Sequence, residues 1–164
     1  MDIISFYPSI LGELIIRSDG SALTGLFFID QRHLPEGLLD LPQEEDALTQ
    51  ETRHWLDIYF SGRDPGFLPS LRFEGTPFQK RVWLMLQEIP YGQTRSYGQI
   101  GEALAAEKGI QRMSAQAVGM AIGRNPISII VPCHRVIGSD GSLTGYAGGI
   151  EKKKKLLELE RALH

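Results

Sequence analysis

The side chains that could do chemistry in this sequence surround its only cysteine, Cys133, which is followed directly by His134 and Arg135. A thiol beside a base and a guanidinium can be held as the thiolate, the nucleophilic form of cysteine. A lone cysteine is often buried and inert, so simple packing is the competing interpretation. A polar Cys-His-Arg triplet inside an apolar run is hard to explain by packing, and it predicts a reactive thiol.

The residues before the triplet must position the thiol. A run of mostly β-branched residues at 127–131 predicts a short buried strand between Pro126 and Pro132. Because proline has no N–H, Pro132 should end the strand and leave Cys133 at its tip, where a side chain can face a pocket.

The residues after the triplet form a predicted turn at 139–141 and a glycine-rich segment at 145–149. Three glycines around Tyr146 predict a loop whose backbone can approach a ligand closely. An ordinary flexible surface turn is the alternative, but such a turn would not need the tyrosine.

Length and composition limit the class of protein. At 164 residues and 42% hydrophobic content, the chain can fold as one domain or two small ones. No apolar run approaches the roughly 18 residues of a membrane span, and the N-terminus lacks a signal-peptide pattern. A single cysteine cannot form an internal disulfide, so we expect a reducing, cytoplasmic location. Four scattered histidines and no cysteine pair argue against a zinc site, and we expect no metal or cofactor.

Charge is divided unevenly between the two halves of the chain. Residues 1–75 carry 5 Lys+Arg against 13 Asp+Glu, a net charge of −8, whereas residues 76–164 carry 12 against 7, a net charge of +5, and the two sum to −3. The second half can therefore present a basic face to phosphates despite the acidic total. Lysines 152–155 contribute to this charge, although some of them are expected simply to face solvent at the start of a helix.

The order of elements predicts an α+β chain (mixed α/β in the broad sense) with two domains. Residues 1–30 alternate apolar and polar positions, which predicts a small antiparallel sheet, and a helix follows from about Asp46 to Phe60. Residues 63–75 are rich in turn formers and coincide with the change in charge. We therefore place a sheet-plus-helix domain with a structural role at residues 1–70, and a mostly helical domain at residues 76–164.

Serine and threonine caps predict the helices of the second domain. Thr76 and Ser96 each precede a glutamine by three residues, which predicts capping boxes, and Ser114 can cap a third helix over 115–123. The second and third of these helices, joined by a turn near 108–113, are a candidate helix-turn-helix.

Two further helical features carry expectations. Small residues recur along the third helix at Ala115, Ala117, Gly119 and Ala121. Such residues let a helix come very close either to its neighbouring helix or to a partner outside the chain, and both interpretations can hold on different faces. A last helix should run from about residue 150 to Leu163, with glutamates interleaved between its leucines.

Several short motifs occur in order around the cysteine. They are Pro132-Cys133-His134-Arg135, Thr76-Pro77-Phe78-Gln79, Pro90-Tyr91-Gly92, Ser96-Tyr97, Ala117-Val118-Gly119, Asn125-Pro126 and Gly145-Tyr146-Ala147-Gly148-Gly149. In these motifs the sequence resembles the O6-alkylguanine-DNA alkyltransferases of bacterial and archaeal type, also called methylated-DNA–protein-cysteine methyltransferases. The resemblance covers residues 76 to about 160, about half of the chain.

The resemblance implies DNA repair by direct reversal. Cys133 would take the alkyl group from O6-alkylguanine, with O4-alkylthymine as a further candidate, after the base is extruded from the duplex, in an irreversible single-turnover reaction. His134 would deprotonate the thiol through a water, Glu160 would orient the histidine, and Tyr97 would protonate the leaving guanine. Asn125 would tie the third helix to the cysteine segment. A solvent-facing Glu160 between core leucines is the alternative for that residue.

The resemblance also implies a base pocket and a DNA-binding surface. The pocket would be formed by Ile122, Val136, Tyr146, Ala147 and Gly148. The third helix would enter the minor groove of alkylated double-stranded DNA, a groove about 6 Å wide that requires small residues. The residues expected to contact DNA are Gln116, Ala117, Gly119, Arg112, Arg124 and Ser139. We expect Arg135 to form an internal ion pair and the protein to act as a monomer.

Two features depart from the family pattern. Gln116 stands where the family usually has an arginine that fills the gap left by the extruded base, and the turn at 107–113 is longer than in close bacterial relatives. Both features concern DNA handling rather than alkyl transfer. Arg112 could reach the same gap, although a simple phosphate contact is the competing expectation.

Two other functions would use part of the same residue set. An alkyltransferase-like damage sensor would bind altered bases without reacting, but such proteins lack the cysteine that this chain has. A cysteine hydrolase would also use cysteine and histidine, but it would need an oxyanion hole, and no helix start is predicted directly after Cys133 to provide one.

Overall fold

The computed structural model describes residues 1–162, and the chain divides into two compact units. The first unit comprises residues 1–74 together with 126–128, and the second comprises residues 75–125 and the chain from residue 129 onward. Among the described residues, no helix is long and apolar enough to cross a membrane.

A three-stranded antiparallel sheet forms the first unit, in the order β1 (Ile3–Ser9), β2 (Gly12–Ser18) and β3 (Leu23–Phe28). This confirms the predicted sheet. On one face, residues from the three strands and from the segment 32–45, which contains a 3-10 helix at Leu38–Asp40, form a buried cluster around Ile4, Ile15, Phe27 and Leu38. Helix α1 (Ala47–Phe60) packs on the sheet, and the Tyr7 hydroxyl donates a hydrogen bond of 2.6 Å to Asp57 on that helix.

The predicted start of α1 at Asp46 is confirmed. The Asp46 carboxylate accepts a hydrogen bond of 2.8 Å from the Thr49 backbone N–H, and the Thr49 hydroxyl accepts one of 2.9 Å from the Asp46 N–H. The two bonds satisfy N–H groups that have no partner inside the helix, so the chain enters the helix at a defined residue.

The prediction of a strand at residues 127–131 is wrong. Only Ile127 pairs, through an isolated parallel bridge to Leu26 of β3, and the remaining residues form a buried turn. The Val131 carbonyl accepts hydrogen bonds from the Asn125 side chain (2.7 Å) and from the Cys133 N–H (2.8 Å), which fold the backbone back on itself. Ile129 accordingly takes a φ of +70°, a left-handed conformation that is uncommon for a β-branched residue. The burial of residues 127–131 was predicted correctly, but these mostly apolar residues form a turn instead of a strand.

Within its described residues, the second unit contains four helices: α2 (Pro77–Leu86), α3 (Tyr97–Lys108), α4 (Ala115–Gly123) and α5 (Ile150–Leu159). The three predicted caps are present, since the hydroxyls of Thr76, Ser96 and Ser114 each accept a hydrogen bond from the N–H three residues on. Helices α3 and α4 of the predicted helix-turn-helix pack against each other, and α2 packs on α4.

The last helix ends earlier than predicted. Helix α5 stops at Leu159 with Glu160 as its C-cap, because Arg161 has a φ of +60° and the Ala162 N–H turns back to the Leu157 carbonyl at 2.8 Å. Leu163, which the sequence placed in this helix, lies outside the described residues.

Candidate active site

Cys133 begins a single 3-10 turn, Cys133–Arg135, that is buried along its whole length. Pro132 stands before the turn, and its carbonyl accepts the Arg135 N–H at 3.0 Å. The turn packs on α5 and α2. Three consecutive polar side chains are therefore held inside the second unit, where each of them needs a partner.

Glu160 supplies partners for two of these side chains. Its Oε2 lies 2.6 Å from Nε2 of His134, and its Oε1 accepts a hydrogen bond of 2.8 Å from Nε of Arg135 and one of 3.1 Å from the Gly92 N–H. Both side chains of the His134–Glu160 pair are fully buried, so the solvent-facing alternative for Glu160 is wrong. The predicted internal ion pair of Arg135 is present, and this guanidinium also donates to the Ile89 carbonyl at 2.8 Å.

The protonation state of the pair follows from its surroundings. Burial acts to raise the pKa of Glu160, but hydrogen bonds from His134 and Arg135 and the charge of Arg135 outweigh it and lower the pKa from 4.5 to about 2, so the carboxylate is ionised. Burial lowers the pKa of His134, although Glu160 opposes this, so the imidazole is neutral near pH 7. An ionised Glu160 can only accept a hydrogen bond, so Nε2 of His134 carries the proton and Nδ1 carries the basic lone pair.

The Cys133 thiol is controlled by burial, by Asn125 and by Lys153. Burial raises the pKa of the thiol, whereas the Asn125 side chain and the Lys153 charge act to lower it. Asn125 comes just after Arg124, the C-cap of α4, and its side chain donates to the Val131 carbonyl, so one amide links the end of that helix to the turn before Cys133. The resemblance implied that Asn125 ties the third helix to the cysteine segment, and this hydrogen bond runs between those two segments.

Lys153 is the functional candidate that the sequence interpretation missed. The sequence interpretation grouped it with three neighbouring lysines, some of which were expected to face solvent, yet its side chain is fully buried. Its ammonium donates hydrogen bonds to the carbonyls of Thr144 (2.8 Å) and Gly145 (3.3 Å), and burial lowers its pKa from 10.5 to about 8 although the nearby Cys133 thiolate opposes the shift. The sequence spacing could have predicted the burial of Lys153, because this residue shares one helix face with Leu156, Leu157 and Glu160.

Removal of the Lys153 charge is expected to make Cys133 less reactive. Lys153→Gln keeps a hydrogen-bond donor but loses the cation, so the pKa of the thiol should rise and alkylation of Cys133 by iodoacetamide at pH 7 should slow about tenfold. Since Lys153 loses its own proton near pH 8, the difference from wild type should be largest below that pH and shrink above it.

The matched control for this prediction is the exposed neighbour Lys154. Lys154→Gln should leave the pH profile of iodoacetamide labelling unchanged. Equal slowing in both variants, or a Lys153→Gln profile identical to wild type, would mean that the buried ammonium does not act on the thiol.

Tyr97 lies at the start of α3, next to the cysteine turn in the fold. The two-residue strands β4 (Arg95–Ser96) and β5 (Val136–Ile137) pair in parallel and bring these segments together. The Tyr97 hydroxyl donates to the Thr144 carbonyl at 3.0 Å, the acceptor it shares with Lys153, whose ammonium lies 5.6 Å from the centre of the tyrosine ring. Burial raises the pKa of Tyr97, so the phenol is protonated at neutral pH.

The residues predicted to form a pocket lie in two groups. Val136 and Ile122 are buried, whereas Tyr146, Ala147 and Gly148 are half-buried. The ring of Tyr146 meets that of His134 edge to face at a centroid distance of 6.4 Å. The glycine-rich segment therefore adjoins the histidine of the site, as a wall of the predicted pocket would.

The residues predicted to bind DNA are concentrated on α4 and beside it. Gln116, Arg112, Arg124 and Ser139 are exposed, and Ala117 and Gly119 are half-buried. Residues 108–139 contain no Asp or Glu and three exposed cations, Lys108, Arg112 and Arg124, besides the buried Arg135. This part of the second unit therefore combines exposed cations with a lack of opposing charge, which suits a phosphate-bearing partner.

The packing of α4 separates the two interpretations of its small residues. Val118, Ala121 and Ile122 are buried, so this side of the helix packs inside the unit, and Ala121 also accepts a hydrogen bond of 2.8 Å from the Trp83 indole. On the other side, a Cβ added at Gly119 would meet nothing within 4 Å. Close packing therefore explains the buried face, and the other face leaves room for the close approach of a partner outside the chain.

Comparisons with known proteins agree with this arrangement. The chain matches the DNA-binding domain of 6-O-methylguanine DNA methyltransferase over residues 77–162 and the ribonuclease-like domain of the same protein over residues 3–68. A methylated-DNA–protein-cysteine methyltransferase of Mycobacterium leprae is 48% identical over 151 residues, which are 92% of this chain and 87% of the relative.

Solved structures give the same result. The crystal structure of the O6-methylguanine methyltransferase of Mycobacterium tuberculosis matches with a TM-score of 0.84 and 42% identity, covering 99% of this chain and 94% of that one. The crystal structure of OGT from the same organism in complex with DNA matches with a TM-score of 0.83 and 43% identity, covering 98% and 93% of the two chains.

The fold and the site together define a DNA-binding protein with a candidate nucleophilic cysteine. The chain belongs to the methylated-DNA–protein-cysteine methyltransferase family. The family predicted from the motifs is thereby confirmed, and so are the enzyme class and DNA as the partner.

Proposed function

We propose that the protein repairs DNA by direct reversal, transferring the alkyl group of O6-alkylguanine to Sγ of Cys133. The observation that carries the proposal is the buried cysteine turn, in which Cys133 adjoins the His134–Glu160 pair while Asn125 and Lys153 act on its thiol. Burial leaves the pKa of the resting thiol above its ordinary value, so His134 must take the proton, while Asn125 and Lys153 stabilise the thiolate, the state that attacks a saturated carbon.

The reaction begins with loss of the thiol proton. Because Glu160 keeps the His134 proton on Nε2, Nδ1 accepts the proton of Cys133 through an intervening water. The imidazolium formed in this step is stabilised by the ionised carboxylate 2.6 Å away. Lys153 favours the thiolate by its charge.

The thiolate then attacks the carbon bound to O6 of guanine. The C–S bond forms as the C–O6 bond breaks, and the electron pair of the broken bond passes to the guanine ring. Tyr97 neutralises the ring by giving its phenolic proton to a ring nitrogen, exchanging the Thr144 carbonyl for the base as its acceptor. The ammonium of Lys153 lies beside the Tyr97 ring, and its charge favours the phenolate that Tyr97 becomes.

The product on the protein is a thioether. The sequence contains no second cysteine that could displace it, so each molecule reacts once. The protein is both catalyst and acceptor in this account.

DNA engagement involves α4. The bare side of this helix enters the minor groove, and the target base is extruded into a pocket that includes Val136, Tyr146 and the backbone of Ala147 and Gly148. One chain contains all of the proposed site residues, so we propose that it acts as a monomer. A lone reactive thiol also favours the reducing cytoplasm as its location.

Intact-mass measurement after incubation with duplex DNA containing O6-methylguanine tests the proposal. The expected product is a protein heavier by one methyl group, located on Cys133 by peptide mapping, together with unmodified guanine in the DNA. Tight binding without a mass change would indicate a damage sensor. Release of a hydrolysed product from an unmodified protein would indicate a hydrolase.

Installing the arginine that the family usually has at position 116 should accelerate repair of duplex DNA. Gln116 is shorter and uncharged, so Gln116→Arg adds a planar cation that can occupy the gap left by the base, and the duplex rate should rise about tenfold. Reaction with the free alkylated base should not change, because no base is extruded in that assay. An unchanged or slower duplex rate would show that this chain extrudes the base by other means.

Arg112 is expected to contact phosphate rather than fill the gap. In that case Arg112→Ala should weaken binding to damaged and undamaged duplexes equally and make the salt dependence of binding shallower by about one counterion. Slower duplex repair with unchanged binding to undamaged DNA would instead make Arg112 the substitute for the missing arginine.

A further inference from the structure

The exposed side of α4 is unusual because it combines a bare backbone with one large apolar side chain. Gly119 has an ordinary helical φ, and nothing lies within 4 Å of the place its Cβ would occupy, so neither conformation nor packing within the chain requires glycine there. Glycine inside a helix is less favourable than alanine, because the backbone loses more conformational freedom there. Among the described residues, none makes glycine necessary at position 119. A partner that comes close to the helix backbone is therefore the most direct explanation for glycine at this position.

Met120 stands immediately beside this bare position. Its side chain is 54% exposed, the largest exposure of any large hydrophobic residue described in the second unit. The adjoining residues Val118, Ala121 and Ile122 are between 1% and 3% exposed, so Met120 is the apolar residue that α4 directs away from its own core. Gln116, one helical turn earlier, is exposed on the same side.

The partner of this side of the helix is DNA. The matched DNA-binding domain spans α4, and exposed Arg112 and Arg124 flank the helix at its two ends. A base-pair step is an apolar slot between two charged backbones, so it can accept a flexible apolar side chain placed between cations. The inference therefore rests on the proposed function.

We propose that Met120 is an apolar wedge that enters the base stack beside the target nucleotide and holds the duplex open while the base is in the pocket. Methionine suits this role because it is unbranched and polarisable and fills irregular gaps. Methionine is among the residues that minor-groove proteins insert between base steps. A wedge at position 120 also explains how a chain with an uncharged Gln116 keeps the extruded state populated.

The test compares two substrates in the intact protein. Met120→Ala keeps a strong helix former but removes the wedge, and it should slow alkylation by duplex DNA containing O6-methylguanine about tenfold. The rate with free O6-benzylguanine should stay within twofold of wild type, since the reactive groups are untouched. Met120→Leu, which keeps the apolar bulk, should retain most of the duplex rate.

Leu84 on α2 provides the matched control, because it is also apolar and is 48% exposed. Leu84→Ala should leave both rates unchanged. In the unreactive Cys133→Ser background, fluorescence of 2-aminopurine placed next to the target should rise when DNA binds, and Met120→Ala should reduce that rise.

Two kinds of result would contradict the proposed role of Met120 as a wedge. A Met120→Ala duplex rate equal to wild type, or equal slowing with duplex and free base, contradicts it. So does a fluorescence rise that is independent of residue 120. Failure of the wild-type protein to take up a methyl group from DNA would instead overturn the proposed function, and the two failures are distinguished in the same assay.

Discussion

Replacing Cys133 with serine is expected to abolish alkyl transfer while leaving the protein folded and able to bind DNA. A serine hydroxyl holds its proton far more tightly than a thiol, and neither Lys153 nor a neutral His134 can make up that difference. The rate of methyl uptake from DNA should fall by a factor on the order of 10⁴ or more. Radiolabelled O6-methylguanine duplex and counting of label on the protein give the measurement.

Two controls make this result specific to the thiol. Thermal unfolding of Cys133→Ser should match wild type closely, since one sulfur atom is exchanged for oxygen in the same buried turn. Binding of the variant to a duplex containing O6-methylguanine should also persist. Residual methyl uptake at a rate near wild type would place the acceptor elsewhere in the chain.

Disabling the His134–Glu160 pair is expected to give the second largest effect. His134→Ala removes the group that takes the thiol proton, and a positioned base contributes about 10²–10⁴-fold to such a step. Glu160→Gln leaves the imidazole without the carboxylate that fixes its tautomer and stabilises its charged form. The double variant should be little slower than the worse single one, because the two residues act as a unit. Additive losses would contradict this coupling.

Glu160→Gln also affects stability, and the design must separate that effect from catalysis. Loss of the carboxylate leaves Arg135 as a buried cation without its ion-pair partner, so the free energy of unfolding should fall by about 3–5 kcal/mol. In the double variant Arg135→Met Glu160→Gln the cation is also gone. We expect its stability to recover substantially while methyl uptake stays slow, which assigns the slow reaction to the His134 contact.

Acid denaturation gives an independent check on Glu160. The folded-state pKa of this carboxyl, about 2, lies below its ordinary value of 4.5, so its stabilising contribution is fully present above pH 4.5 and is lost as the pH falls toward 2. The unfolding free energy of wild type should therefore decline over this window. Glu160→Gln should show a shallower decline over the same window.

The helix starts were predictable because capping is local. The residues of each box, such as Thr76 with Gln79, lie three positions apart and need no distant partner, so sequence spacing alone specifies the geometry. The order of motifs around Cys133 predicted the family for a similar reason, since each motif is short and contiguous. The buried Glu160 was predicted through the family resemblance and not through its own spacing.

The features that were predicted wrongly depend on contacts with residues outside the segment from which each was predicted. The apolar run at 127–131 has strand composition, but bonds from Asn125 and Cys133 to the Val131 carbonyl turn it, and this competition cannot be seen in the run itself. Lys153 was not distinguished from its three neighbouring lysines, some of which were expected to face solvent. Its burial depends on Thr144 and Gly145, whose carbonyls meet it only when the glycine-rich loop folds back on α5.

Cys133 is consumed by the proposed reaction, and a titration tests this most directly. A fixed amount of protein is mixed with increasing excess of duplex DNA containing labelled O6-methylguanine, and transferred methyl groups are counted after the reaction stops. We predict a plateau at one methyl group per protein molecule, all of it on Cys133 as a thioether. Repair that continues past one equivalent, or a plateau with the label on another residue, would contradict the account.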